Sequence, residues 1–136
     1  MAERFEELDV WQRARILTGA IYALSDAGAF ARDFGLRDQM RRAAVSIMSN
    51  IAEGFESRTQ GLFIEFLGRA KGSAGELRAQ LYIALDCRYL NIDQFSSALH
   101  EVETCSKQIA GLMRHLESTP NVRRVKEDLV SYEIQP

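Results

Sequence analysis

The sequence predicts an all-α protein, an antiparallel up-down-up-down four-helix bundle. Three observations carry that expectation. Four segments repeat apolar residues in steps of four and three, the spacing at which one face of a helix meets its neighbours. No segment sustains the period-two alternation of a half-buried strand. The 136-residue chain holds only two prolines, Pro120 and Pro136, so nothing before residue 120 forces a helix to break.

The first segment places Val10, Ala14, Leu17, Ile21 and Leu24 on one seam. The stretch from Gly28 to Gly35 is mixed and can end one helix and start the next. The second segment carries Leu36, Met40, Ala43, Ile47 and Ile51, and Gly54 follows it. Ser57 or Thr59 can then cap the third segment by accepting a backbone N–H of its first turn. That segment is the most regular, with Phe63, Leu67, Ala70, Ala74, Leu77, Leu81 and Ala84 in unbroken register. Asn91 or Asp93 can cap the fourth, which runs through Phe95, Leu99, Val102, Ser106, Ile109, Met113 and Leu116. Short connections make successive helices antiparallel neighbours. Residues 1–118 are thus expected to form the bundle, and residues 119–136 a flexible or partly helical tail.

Composition narrows the function. A chain of this length can bury about two-thirds of its unfolded surface without a metal or disulfide. Lys and Arg number 17 and Asp and Glu 19, a formal charge of −2. A dedicated nucleic-acid binder usually has a basic domain or stripe, so the whole-chain balance argues mildly against that role. The N-terminus is acidic and lacks an apolar leader, and no run is long enough to span a membrane, so the cytoplasm is the expected location. Cys87 and Cys105 have no CxxC partner and read as free thiols in a reducing compartment.

No chemistry-bearing pattern survives inspection. The two histidines, His100 and His115, lack a Glu three residues before them, so the di-iron bundle motif is missing. Cys105 has no histidine at i±3 or i±4. Gly68, Gly72 and Gly75 lie inside a periodic helix and not in a phosphate-binding turn. With Ser73 they make a smooth strip, suited to close approach of the second helix or of another subunit. Neither a catalytic residue, a metal set nor a cofactor is expected.

Two sets of residues stand out beside the seams. Trp11, Tyr22, Ala44, Met48 and Phe55 widen the apolar faces of the first two helices beyond one stripe. They are candidates for a subunit interface, or else for burial within one subunit. Arg41, Asn50, Glu53, Glu65, Arg69, Glu76 and Gln80 fall at helical spacings and suggest a polar network between helices. Arg41, Arg42, Arg69, Lys71 and Arg78 are the candidates for touching phosphate.

At these residues the chain resembles the bacterial four-helix-bundle family also called the 23S rRNA intervening sequence proteins. Phe5-x-x-Leu8-x-Val10-Trp11-Gln12-x-Ala14 is similar to that family's start. The second helix carries its most distinctive run, Gln39-x-Arg41-Arg42-Ala43-Ala44-x-Ser46-Ile47-x-x-Asn50-Ile51-Ala52-Glu53-Gly54. The third continues with Glu65-Phe66-Leu67-x-x-Ala70-Lys71-Gly72-Ser73-x-x-Glu76-Leu77-x-x-Gln80-Leu81. Arg88-Tyr89 stands where the family often has Gly-Tyr, so that turn is expected to differ. The accessory variability determinant protein of diversity-generating retroelements is similar in fold and forms a five-fold barrel that contacts nucleic acid and a reverse transcriptase. The resemblance therefore implies a non-enzymatic homo-oligomer, a pentamer, whose partners are itself and RNA, DNA or another protein. The alternative it implies is an RNA- or DNA-binding accessory protein.

Overall fold

A computed structural model describes residues 2–119. The tail expected from residue 119 lies, from residue 120 on, outside the described residues. Within them the fold is all-α and strand-free. A single 3-10 turn at Phe5–Glu7 leads into α1 (Asp9–Leu24), α2 (Gly28–Arg32), α3 (Phe34–Glu56), α4 (Gln60–Asp86) and α5 (Ile92–Glu117). Four of the helices are long, and they correspond to the four periodic segments.

The seams behave as the periodicity requires. Val10, Ala14, Leu17 and Ile21 are buried on α1, and Met40, Ala43, Ile47 and Ile51 on α3. All seven predicted seam residues of α4 are buried. On α5 the buried set is shifted: Ala98, Cys105 and Leu112 are buried with Phe95, Val102, Ile109 and Leu116, while the expected Leu99, Ser106 and Met113 are only half-buried. These side chains form one core shared by all four long helices. The largest seam joins α3 to α4, followed by α4 with α5 and α1 with α3; the seam closing α1 onto α5 is the slightest.

Named contacts join the long helices along each seam. Phe55 meets Phe63 while Ser46 meets Ser73 across α3 and α4. Tyr82 meets Phe95 while Arg78 meets Glu103 across α4 and α5. Thr18 reaches the Ala44 carbonyl, and Arg41 reaches Tyr22 at the end of α1. Arg13, in the second turn of α1, meets Glu101 of α5 at 3.6 Å.

Local chemistry explains the helix ends. Of the two proposed caps before α4, Thr59 performs the role, its Oγ1 accepting from Leu62 N at 3.1 Å. Ser57 instead closes α3, its hydroxyl donating to the Gly54 carbonyl. Asn91 caps α5 in a full capping box with Gln94. An unforeseen cap, Asp33, opens α3 by accepting from Leu36 N at 3.1 Å. The mixed stretch after α1 contains the short α2, entered through Gly28 at φ 61°.

The turn after α4 uses Arg88 at φ 64°, in the left-handed region that favours glycine. Tyr89 N donates to the Ala84 carbonyl and Arg88 N to the Leu85 carbonyl, each at 2.9 Å, which is the Schellman pattern. The turn therefore keeps the backbone demand that a glycine would meet, with arginine bearing the strain.

Gly54 is the most closely packed glycine among the described residues. A Cβ there would lie 2.9 Å from Phe63 Cδ1 and 2.9 Å from Phe66 Cβ. Only glycine lets the end of α3 sit this close to the start of α4.

Candidate functional site

The widened apolar faces divide into interior and surface. Ala44 and Phe55 are fully buried in the chain's own core, so their assignment to a subunit interface is corrected. The reason is local packing. Thr18, on α1, donates to the Ala14 carbonyl at 2.8 Å and to the Ala44 carbonyl at 3.2 Å, drawing α1 against Ala44. Phe55 lies edge-on to Phe63, with ring centres 6.1 Å apart. Trp11 and Met48 are half-buried against the same core, and Trp11 packs edge-on to Phe5 at 5.1 Å. Tyr22 alone of the five is exposed.

A different apolar surface emerges. Tyr22, Phe34, Tyr82, Ile83 and Ile92 are exposed, and all sit at the end where α1 and α4 finish and α3 and α5 begin. At that end Ala20, Ala23 and Leu24 of α1 and Ala98 of α5 line a mainly apolar groove of about 470 Å³. Spacing alone missed this set, because its members come from four helices and gather only after folding.

The seven polar residues do not form one network. Arg41 serves α1: its Nε donates to Ser25 Oγ at 2.8 Å, and its guanidinium lies 4.6 Å from the Tyr22 ring centre. It also lies 3.8 Å from Asp26 and donates to the Tyr22 carbonyl at 3.4 Å, placing a cation on the carbonyl end of α1. Asn50 donates to the Ser46 carbonyl at 2.8 Å and to Ser46 Oγ at 3.0 Å, and Ser46 pairs with Ser73 across the α3/α4 seam at 2.9 Å. Glu65 and Arg69 make an exposed i,i+4 pair at 3.0 Å. Glu53 and Glu76 are exposed, whereas Gln80 is buried and its Oε1 has no hydrogen-bond partner among the described residues. Long exposed side chains follow solvent and their own helix turn, and this set therefore divides into separate local contacts.

The proposed phosphate-contacting residues also separate. Arg41 is engaged at the end of α1 and Arg69 with Glu65, while Arg42 is exposed on α3. Lys71 and Arg78 are brought together, two helical turns apart, on a groove of about 290 Å³ between α4 and α5. Lys107, which the sequence reading passed over, joins them from α5. The floor is small, with Ala74, Gly75 and Ser106, and Arg78 pairs with Glu103 at 3.4 Å.

The small strip on α4 serves several purposes. Ser73 meets α3, and Gly68 faces Met113 of α5, whose Cε would lie 3.7 Å from an added Cβ. Gly72 and Gly75 face open space. Among the described residues no group of His, Cys, Asp and Glu is placed to hold a metal ion. No described helix is long and apolar enough to cross a membrane.

A family model described as 23S rRNA-intervening sequence protein matches residues 6–111. The chain belongs to that family. No curated protein matches it. Among solved structures, a protein of unknown function from the S23 ribosomal protein family of Bacteroides thetaiotaomicron superposes with a TM-score of 0.71. It is 20% identical, and the alignment covers 77% of this chain and 98% of that one. At that identity the likeness establishes the shared helical fold. Neither match carries an enzymatic description.

In this family member the distinctive α3 run is largely a packing motif. Arg41 closes α1, Ala43 and Ala44 admit neighbouring helices, Ser46, held by Asn50, ties α3 to α4, and Gly54 allows a close approach between them. Of the residues that looked functional by type, Arg41 and Arg78 join two helices.

Proposed function

We propose that this family member is a non-enzymatic, cytoplasmic interaction protein that works as a homo-oligomer of antiparallel up-down-up-down four-helix bundles, each formed by residues 1–118. The observation that carries the reading is the gathering of Tyr22, Phe34, Tyr82, Ile83 and Ile92 around one end of the fold. Exposed apolar side chains gathered at one end of a fold are a candidate interaction site. Covering a large apolar side chain contributes about 1.5–3 kcal/mol relative to leaving it in water. The opposed residue order across α3/α4, α4/α5 and α1/α3 supports the antiparallel arrangement. Five copies is the order expected from the likeness to the five-fold retroelement protein. Light scattering on the full chain tests this directly. An oligomer that Ile83→Glu with Ile92→Glu dissociates is the expected result; a strict monomer at micromolar concentration overturns it.

A second reading rests on the α4/α5 groove. Lys71, Arg78 and Lys107 outnumber the one acid of the groove, Glu103, and suit the phosphates of RNA or DNA, and repetition in an oligomer multiplies the charge. Single-strand binding loses affinity with salt at a log–log slope of about −0.7 per phosphate contact. Replacing Lys71 and Lys107 with Glu should flatten that slope. Unchanged or salt-insensitive binding counts against this reading.

A further inference from the structure

The apolar end of the fold carries both a hollow and a projection. The hollow is the groove of about 470 Å³ between the end of α1 and the start of α5, lined by Ala20, Ala23, Leu24 and Ala98. Its only charged lining residues are acids, Asp93 and Glu101. Glu101 is shared with Arg13 at 3.6 Å, whereas Asp93 has no ion pair among the described residues. The projection is Phe34, which opens α3 outside that groove and is 62% exposed. The Arg37 guanidinium lies 4.8 Å from its ring centre and donates to the Ala31 carbonyl at 3.1 Å and to Asp38 at 2.9 Å, which steadies an exposed aromatic ring. Arg32, two residues before the ring, is exposed and has no ion pair among the described residues. The neighbouring acids are committed, Asp33 to Leu36 and Tyr89 and Asp38 to Arg37. An aromatic ring flanked by cations is thus the complement, in shape and in charge, of an apolar groove with acids on its lining.

We propose that Phe34 of one copy of this chain seats in the α1/α5 groove of the next, with Arg32 meeting Asp93. This rests on the oligomer reading and names the two surfaces that join. The anchor and the groove are different parts of the chain, so the contact is heterologous: every copy gives one anchor and receives one. Both lie at the same end of the fold, where Arg41 of α3 stands 4.6 Å from the Tyr22 ring of α1. Neighbouring copies therefore need little displacement along their helices, and a rotation relates each to the next. A rotation without displacement closes into a ring, whereas a displacement at each step winds an open filament. Ile92, 63% exposed and next in sequence to Asp93, extends the apolar surface beside the groove.

Disulfide trapping between two kinds of full-length chain tests the pairing. In a Cys87→Ser background, chains carrying Arg32→Cys are co-expressed with chains carrying Asp93→Cys and then oxidised; Cys105 is buried and takes no part. A disulfide joining the two kinds of chain should form in several-fold excess over either homodisulfide. Phe34→Glu in the first chain or Ala23→Arg in the second should abolish that excess. Either change alone, with the native cysteines, should also lower the mass in light scattering without changing the helical spectrum. Homodisulfides in equal or greater yield overturn the proposal. So does an oligomer that Ile83→Glu with Ile92→Glu dissociates while Phe34→Glu and Ala23→Arg leave it intact, a result that keeps the oligomer reading. Dissociation by Ala23→Arg but not by Phe34→Glu overturns it as well, by placing another part of the second copy in the groove. A strict monomer overturns both this pairing and the oligomer reading.

Discussion

Tyr89 donates its hydroxyl to Asp33 Oδ2 at 2.8 Å, while Asp33 Oδ1 accepts the backbone N–H of Leu36 at 3.1 Å. One carboxylate thus caps α3 and fastens the α4–α5 turn to it, across 56 positions of sequence. Phe30 stacks on the Tyr89 ring at 5.3 Å and holds α2 in the same cluster.

This contact predicts an acid dependence. The Leu36 N–H first, and then the Tyr89 hydroxyl, hold the Asp33 carboxyl below its usual value. The stability it contributes is therefore present above the unfolded value near 4 and lost as pH falls through the lower folded value. The same bond raises the Tyr89 hydroxyl, so its share is present below about 10 and lost as pH rises through the folded value. Thermal melts across the acid range should show a flatter decline for Asp33→Ala than for the native chain. Tyr89→Phe should lower Tm at neutral pH.

Gly54→Ala is expected to destabilise the fold. The added methyl would press on Phe63 and Phe66 at 2.9 Å, and overpacking of this kind costs about 1–3 kcal/mol. Urea unfolding measures it. Gly72→Ala and Gly75→Ala meet nothing within 4 Å and should stabilise the chain by up to about 1 kcal/mol each.

Phe55 and Ile83 should behave in opposite ways. Phe55→Ala removes a fully buried ring and should cost about 3–5 kcal/mol in chemical unfolding. Ile83→Glu changes a side chain that is half exposed and should leave unfolding nearly unaltered while reducing the oligomer's mass in light scattering.

Arg88→Gly should be neutral or stabilising by up to ~1 kcal/mol, since a left-handed conformation costs a non-glycine residue about that much. A raised urea midpoint with an unchanged slope is the expected observation.

The two thiols should be distinguishable. Cys87 is exposed, and Cys105 is buried with its thiol raised by desolvation to about 11. A thiol reagent at mild alkaline pH should modify Cys87 in the native protein and reach Cys105 only after unfolding.

Periodicity determined which residues line the four seams, because a helix repeats its faces every 3.6 residues whatever surrounds it. The caps were legible too, at Thr59 and Asn91, since they depend on the residues within one turn. The sequence by itself could not say what would cover the extra apolar width on α1 and α3. A stripe's breadth states how much must be buried and is silent about the partner. Tertiary packing spent Ala44 and Phe55 inside the chain and left Tyr22 outside. It also gathered Tyr82, Ile83 and Ile92 from beyond the seams, and brought Lys107 beside Lys71 and Arg78. Those groupings depend on the order and direction in which helices pack, which no single helix encodes.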